Sequence, residues 1–493
     1  MKHEAGRIGV AIPREGAWKW QGIMLEALGA RGVAVEWDGP ALPVVPMPWR
    51  VLLEVERLLA RPRTDLFART GNTAESMDAA RPGMLILPPG CQATPELLAR
   101  LPLGALEFDA LDPATFSGGL LPGRMIWRRA GLAPRLACST ATCVQGPFPL
   151  GWAGPHLAKA ALMPSRLLAR LDLEGEAVWD GLPEAGPTRG SFAPGAAGWA
   201  RFLAGLAGFG LKRAWLDLLH RRQWYLAVRP GDGDPRRAGF AGEPFVPVLP
   251  PRGTGWADPF PFSKDRRSWL FIEEIPGRGK GVISVMELLP GGGFGKPRRV
   301  LEEPFHLSYP NVFEHEGAAY MVPETSQAGQ VRLYRAGDFP GGWALDRVLL
   351  DGVPGTDATF LEHGGEWWMF VNVRAPGGSS WDELHLFRSA SRLGPFKPHP
   401  LNPVVSDVRR ARPAGPVIVR DGRLFRPAQD SSGWYGRALA VMEITRLDGT
   451  GYEEVEVARL EPELVPGSFC LHTFVSEGML EIVDGQRFVP VWR

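Results

Sequence analysis

The chain has 493 residues, of which 45% are hydrophobic and 22% are charged, a composition typical of globular proteins with large buried cores. Its formal net charge is +1, so bulk electrostatic attraction gives no reason to expect binding to nucleic acid or to an anionic membrane surface.

The four cysteines contain no Cys-X-X-Cys pair, so we predict neither a disulfide scaffold nor a metal site, and we expect no cofactor. The N-terminal residues carry no apolar signal region, and no uncharged apolar run reaches membrane-spanning length. We therefore expect a cytoplasmic protein without stable membrane insertion. The oligomeric state stays open.

Residues 1–190 show the pattern of an α/β domain. Buried-strand patterns at 7–12, 33–37 and 84–88 alternate with helical patterns at 20–28 and 48–59. This alternation predicts a doubly wound sheet. A further helix is predicted at 155–171, whereas most of 91–180 is less periodic.

A Gly/Pro-rich joint at 183–194 separates this domain from the rest. We predict a helical linker over 191–222, with a helix at 199–221 whose apolar face includes Trp215, Leu218 and Leu219.

Residues 223–493 contain five similar units, spaced about 50 to 60 residues apart. Each opens with polar residues, continues through a turn marked by Gly or charge, and returns in an aromatic-rich strand. Such a period predicts a five-bladed β-propeller, in which the first strand of each blade lines the central channel. The fifth unit is one strand short, so we predict that 223–228 completes it and closes the ring. The five openings begin at Trp256, Ser308, Thr356, Arg412 and Leu471.

Seven stretches of this half carry a family resemblance: Trp256-Ala-Asp-Pro-Phe, Ser308-Tyr-Pro-Asn-Val-Phe-Glu, Tyr320-Met-Val-Pro-Glu-Thr-Ser, His399-Pro-Leu-Asn-Pro-Val, Ala411-Arg-Pro-Ala-Gly, Arg426-Pro-Ala-Gln-Asp and Tyr435-Gly. They resemble the propeller domain of plant glucosamine inositolphosphorylceramide transferases and its bacterial relatives. In the plant enzymes this part is joined to a separate glycosyltransferase domain, which we do not find in this chain. The five-blade arrangement also resembles, more distantly, family 43 and family 32 glycoside hydrolases, which carry acidic residues at the inner strand openings.

In the first domain, Glu107-Phe-Asp-Ala-Leu-Asp is followed by Ser117-Gly-Gly. This stretch resembles the corresponding part of a degenerate formyltransferase. Asp109 and Asp112 remain, but the Asn and His that a working formyl-transfer site needs are missing. This argues against one-carbon transfer.

Three carboxylates are the candidate catalytic residues. Asp258 and Asp357 hold equivalent places in blades one and three, and Glu324 ends the second strand of blade two. Carboxylates that converge on one axis acquire different pKa values, which suits an acid/base pair. The structural alternatives are a turn cap for Asp258 and a salt bridge between Glu324 and an arginine such as Arg412.

Seven further side chains are candidate contacts to a carbohydrate or sugar-linked substrate. The arginines are fixed donors for carboxylate, phosphate or sulfate groups. Alternatively, buried polar groups at the centre of a propeller satisfy one another. Tryptophans at 256, 381 and 434 are weaker candidates for stacking on sugars, because most tryptophans in such folds pack the blades. The seven residues are Arg412, Arg426, Gln429, Asp430, His472, Tyr309 and Asn311.

These patterns favour a glycan-active protein that binds a sugar at the propeller centre and cleaves or transfers it, in polysaccharide or glycolipid synthesis. Two alternatives remain: a non-catalytic carbohydrate-recognition or assembly module, and residual formyl or acyl transfer to a nucleotide-linked amino sugar by the first domain.

Overall fold

A computed structural model describes residues 8–10, 19–31, 35–37, 54, 83–87, 91–108, 120–143, 149–186, 195–237, 240–277, 279–289 and 293–491. The chain divides into two compact units. One comprises Met1–Arg213 with Ala375–Ser379, and the other comprises Ala214–Arg374 with Ser380–Arg493.

The first unit contains a six-stranded mixed sheet with the strand order β2-β1-β3-β4-β5-β6. Strands β1 to β4 are parallel to one another, and β5 and β6 add an antiparallel hairpin. The uninterrupted apolar sequence of β3 suits its central place, where all four residues are buried. The strands are β1 (Ile8–Val10), β2 (Val35–Trp37), β3 (Met84–Leu87), β4 (Gly104–Phe108), β5 (Leu120–Arg128) and β6 (Arg135–Cys143).

Helices α1 and α3 share one apolar core with this sheet, through residues such as Trp20, Met24 and Leu157. The helices are α1 (Lys19–Gly29), α2 (Pro95–Leu98), α3 (Pro149–Glu174), α4 (Ala177–Gly181) and α5 (Ala196–Leu219).

The predicted helices at 20–28 and 155–171 lie within α1 and α3, and strands occur near each predicted strand position. The sequence did not predict the β5–β6 hairpin. The doubly wound arrangement and the formyltransferase likeness stay predictions. Apart from Glu54, the predicted helix at 48–59 lies outside the described residues, as do Asp109, Asp112 and Ser117.

Helix α5 covers most of the predicted linker helix. Two residues of its predicted apolar face are exposed, since Trp215 and Leu218 keep 58% and 75% of their surface accessible. Among the described residues, no helix combines the length and apolar character needed to cross a bilayer.

The second unit is a five-bladed β-propeller. Four blades are built from consecutive strands, which pair in antiparallel fashion from the inner strand outward. Blade one contains β9 (Thr254–Lys264), β10 (Arg267–Pro276), β11 (Val282–Leu289), β12 (Gly293–Phe294) and β13 (Arg298–Leu301). Blade two contains β14 (Ser308–His315), β15 (Ala318–Glu324), β16 (Gln330–Asp338) and β17 (Gly341–Asp351). Blade three contains β18 (Gly355–His363), β19 (Glu366–Val373), β20 (Leu384–Ser389) and β21 (Lys397–Pro398). Blade four contains β22 (Ile418–Arg420), β23 (Arg423–Asp430), β24 (Ala438–Asp448) and β25 (Gly451–Leu460).

The fifth blade joins the two ends of the propeller sequence. Strands β26 (Cys470–Glu477) and β27 (Leu480–Pro490) come from the C-terminal end, and β7 (His220–Pro230) and β8 (Val246–Val248) come from before blade one. The pairing of β7 with β27 runs from His220 opposite Pro490 to Pro230 opposite Leu480. The predicted closing strand is therefore confirmed.

Each pair of neighbouring blades shares an apolar core. Leu226 of β7 packs with Leu270 of blade one and Val475 of blade five, and this cluster seals the junction. Four further clusters fill the other junctions around the ring. The face-to-face packing brings the openings of the five inner strands to a common centre.

Candidate functional site

A β-bulge recurs where the inner strands of four blades open onto the centre. In each, two residues of the inner strand lie opposite one residue of the second strand. The bulges begin at Asp258, Tyr309, Asp357 and His472. The first three have φ angles of 48°, 47° and 56°, a left-handed conformation that is rare outside glycine. Such backbone strain concentrates at functional sites, so these three residues mark the centre as the candidate site.

The first charged network centres on His472, which is buried between two carboxylates. Its Nδ1 lies 2.7 Å from Asp484, and its Nε2 lies 3.4 Å from Asp258. The Thr473 hydroxyl donates to Asp258 at 2.7 Å, and the Tyr309 N–H donates to the other Asp258 oxygen at 3.0 Å. Asp258 thus links blades one, two and five.

Asp258, His472 and Asp484 present ligand atoms within 4.8 Å of one another, a grouping compatible with a metal ion. Their oxygens also accept the N–H groups of Asp258 and Thr473 and the hydroxyl of Thr473. A protonated imidazole between two carboxylates accounts for this geometry, and we propose no metal there.

Burial disfavours a charge on His472, but Asp484 and Asp258 more than offset this and raise the pKa of His472 to about 9. In the unfolded chain the pKa of His472 is about 6.5. The protonated imidazole therefore stabilises the fold fully below pH 6.5, and this stabilisation is lost as the pH rises through about 9.

We therefore expect His472→Gln to lower the free energy of unfolding more near pH 6 than near pH 10, as measured by urea denaturation at both values. His315, which is partly exposed, supplies a matched His→Gln control with little effect at either pH. An equal loss of unfolding free energy for His472→Gln at both pH values would contradict the raised pKa of His472.

The second network centres on Arg412, which lies just before the inner strand of blade four. Its Nε donates to Asp357 at 2.5 Å, and its terminal nitrogens reach Glu324 at 3.3 Å and the Ser380 carbonyl at 3.4 Å. The structural alternative for Glu324, a salt bridge to Arg412, is therefore present. Gln429 donates to Asp357 at 3.0 Å. Burial raises the pKa of Asp357 to about 7; Arg412 opposes this shift, and Glu324 and Asp258 add to it.

A third network joins His306, a weaker candidate from the sequence, to Glu273 of blade one, which the sequence did not single out. The His306 Nε2 lies 3.1 Å from the buried Glu273 carboxylate, while its Nδ1 accepts the Gly281 N–H. Burial raises the pKa of Glu273, and His306 partly opposes that shift. The strand register identifies Glu273 as a site residue. Glu273 pairs with Ala257, and Glu324 pairs with Ser308. In both pairs the inner-strand residue directly precedes a bulge.

We call the residues of these three networks the hub: Asp258, Glu273, His306, Glu324, Asp357, Arg412, Gln429, His472 and Asp484.

Three aromatic side chains flank the hub. Tyr435 lies 5.3 Å from Trp381 and 6.2 Å from Trp224, measured between ring centroids. The Trp224 ring also lies 4.4 Å from His472, and the Arg412 guanidinium lies 5.1 Å from the Tyr435 ring. Aromatic faces beside carboxylates are the combination that sugar sites use, because sugars present both apolar faces and hydroxyl groups.

Two further predicted substrate contacts, Tyr309 and Asn311, form hydrogen bonds between blades. The Tyr309 hydroxyl is buried between Thr359 and the Gly415 N–H, and Asn311 donates to the Ala358 carbonyl. These bonds tie blade two to blades three and four.

Arg426 and Asp430 form ion pairs apart from the hub. Arg426 forms a buried pair with Glu454, at 2.8 Å. Asp430 pairs with Arg437 and Arg459. We leave both out of the ligand contacts proposed below, because their charges are already paired with these partners.

Comparison with known proteins agrees with the predicted resemblance. Residues 253–465 match the family described as glucosamine inositolphosphorylceramide transferase 1, N-terminal. The chain is 36% identical over 206 residues to glucosamine inositolphosphorylceramide transferase 1 of Oryza sativa subsp. japonica and of Arabidopsis thaliana. The match covers 41% of this chain but only 28% and 27% of those proteins. The family resemblance is thus supported for the propeller segment, while the bacterial branch stays a prediction.

Two solved structures similar to this chain are glycoside hydrolases. An exo-beta-1,3-galactanase from Clostridium thermocellum has a TM-score of 0.35 and 13% identity, over 44% of this chain and 56% of that one. A GH43_1 enzyme from Xanthomonas citri has a TM-score of 0.36 and 11% identity, over 48% of this chain and 87% of that one.

Proposed function

We propose that the propeller binds a sugar unit at its hub and cleaves or transfers it, in the synthesis of a polysaccharide or glycolipid. The observation that supports this most directly is the recurrent bulge, which turns Asp258 and Asp357 toward the centre beside the aromatic side chains. The matched segment of the transferase relatives supports the same class of ligand.

Within this proposal, Asp258, Glu324 and Asp357 form the acid/base set, and Arg412, Gln429 and His472 hold the substrate and the carboxylates. Asp357 carries a proton over part of the neutral range, because burial raises its pKa to about 7, so it is suited to donate to a leaving oxygen. Asp258 accepts hydrogen bonds from Tyr309 and Thr473, and this orients it as the base.

A second function, carbohydrate recognition without catalysis, is favoured by one observation. Arg412 holds both Asp357 and Glu324, and His472 lies against Asp258, so each of the three carboxylates already has a cationic partner. Residual formyl transfer by the first unit stays a third prediction.

Binding is tested by incubating the full-length chain on a glycan array. We expect retention by a defined set of glycans and its loss with Trp381→Ala, since Trp381 is part of the aromatic group beside the hub. Trp434→Ala is the matched control, because Trp434 is 48% exposed and its indole N–H donates to the Phe469 carbonyl. Absence of glycan retention by the wild-type chain would overturn the proposed function.

A further inference from the structure

Helix α5 carries an exposed apolar stripe along its length. Among its described side chains, ten alanine, leucine and tryptophan residues recur with the spacing of a single helix face, within an arc of about 120°. All ten are exposed, and Leu211, Trp215 and Leu218 keep 73%, 58% and 75% of their surface accessible. We call these residues the α5 stripe: Ala196, Ala197, Ala200, Leu203, Ala204, Ala207, Leu211, Ala214, Trp215 and Leu218.

The α5 stripe is large for an exposed feature of a folded protein. The helix has 24 residues and is therefore about 36 Å long. A surface helix normally turns an apolar face of this kind toward the core of its domain. A contiguous apolar face that stays exposed marks a surface where the protein contacts something else. The stripe is thus suited to an apolar partner that extends along the whole helix.

Positive charge lies beside the α5 stripe. Arg201 and Lys212 are exposed and border one side of the stripe, about 80° and 100° from Leu211 around the helix axis. Arg221 and Arg222, at the start of β7, are exposed as well. Residues 196–222 contain five lysines and arginines and one acidic residue, a formal charge of +4, whereas the whole chain has a net charge of +1. The positive charge is therefore concentrated in this segment.

An anionic lipid surface matches both features at once. A helix that lies in the plane of a bilayer buries leucine and tryptophan side chains at the boundary between headgroups and acyl chains. Its lysines and arginines, which have long apolar stems, extend from there to the anionic headgroups. A second copy of the chain fits the stripe less well, because it would bring the same positive charges toward one another. The charge distribution thus favours a membrane over a dimer.

We propose that α5 is a membrane-surface helix, whose stripe lies at the headgroup boundary of a bilayer that contains anionic lipids. Arg201, Lys212, Arg221 and Arg222 contact the lipid headgroups. This contact is peripheral and reversible, so it needs no helix that crosses the bilayer. It does not rest on sugar binding at the hub, and either proposal can fail without the other.

The test is cosedimentation of the full-length chain with phosphatidylcholine vesicles that either contain or lack phosphatidylserine. We expect binding to the phosphatidylserine vesicles, and a loss of at least about tenfold without that lipid or at high salt, because both changes weaken the attraction to the headgroups. Absence of binding to both kinds of vesicle would overturn the proposal. Equal binding to both kinds would overturn the role of the basic residues. A chain that dimerises through the stripe and ignores vesicles would place a second copy there instead of a membrane.

A matched pair of double variants locates the contact. Leu211→Gln with Leu218→Gln replaces two exposed leucines of the stripe by a polar residue that favours helices equally well, so the fold is retained. We expect binding to phosphatidylserine vesicles to fall at least about tenfold, because two apolar side chains no longer leave water. Leu132→Gln with Leu289→Gln is the control, since these leucines lie outside α5 and keep 54% and 44% of their surface accessible. Unchanged vesicle binding by the folded stripe variant would contradict the placement of α5 on the membrane.

Discussion

Replacement of Asp258 by Asn is expected to lower turnover of a glycan substrate by about 10²- to 10⁴-fold, the range usual for loss of a general acid or base, while glycan binding persists. Asn keeps the shape of the side chain and tolerates the left-handed backbone that Asp258 adopts with φ of 48°. The amide cannot take up a proton as the carboxylate does, so a loss of rate at retained affinity isolates the chemical role.

Asp421→Asn is the matched control. Asp421 also has a left-handed φ, of 49°, but its side chain is exposed and pairs with Arg236 far from the hub. We expect its turnover and affinity to match the wild type. Turnover would be followed by release of reducing ends or by transfer to a labelled acceptor. If the wild type binds glycans but shows neither activity, the propeller is a recognition module and the acid/base roles are withdrawn.

Replacement of Arg426 by Ala is expected to lower the free energy of unfolding by about 3–5 kcal/mol, because the buried Glu454 carboxylate loses its 2.8 Å ion pair and keeps a longer one, of 3.6 Å, to Arg410. Arg426 is fully buried, and its guanidinium contacts both Glu454 oxygens, the Tyr452 hydroxyl and the Arg410 carbonyl. Urea denaturation measures the change.

Arg423→Ala is the control in the same strand. The Arg423 side chain keeps 46% of its surface accessible, so water and salt replace its pair with Glu443 at little cost. Equal effects of the two substitutions would contradict the structural role of Arg426, and a loss of glycan binding by folded Arg426→Ala would restore it as a ligand contact.

The propeller could be predicted because each blade repeats the same short sequence pattern. Each blade carries its own opening and turn, and a missing strand in the fifth unit identified 223–228 as the closing strand. The β5–β6 hairpin was missed because the stretch around it lacks the strict alternation that marks a half-buried strand.

The candidate site was predictable only in part. Asp258 and Asp357 stood out because both open an inner strand. Asp484 and Glu273 lie on second strands, and only the pairing register shows that they face the same centre. Arg426 is a predicted ligand contact from its sequence alone, and the sequence does not show that Glu454, a residue of the outermost strand, pairs with it.

The central claim, that sugars bind at the hub of the closed propeller, is tested most directly by a crystal structure of the full-length chain with a glycan selected on the array. The account predicts a sugar ring beside Tyr435 and within hydrogen-bond distance of Asp258 or Asp357. A glycan bound on the outer strands or in the first unit, with the hub side chains unchanged, would contradict it.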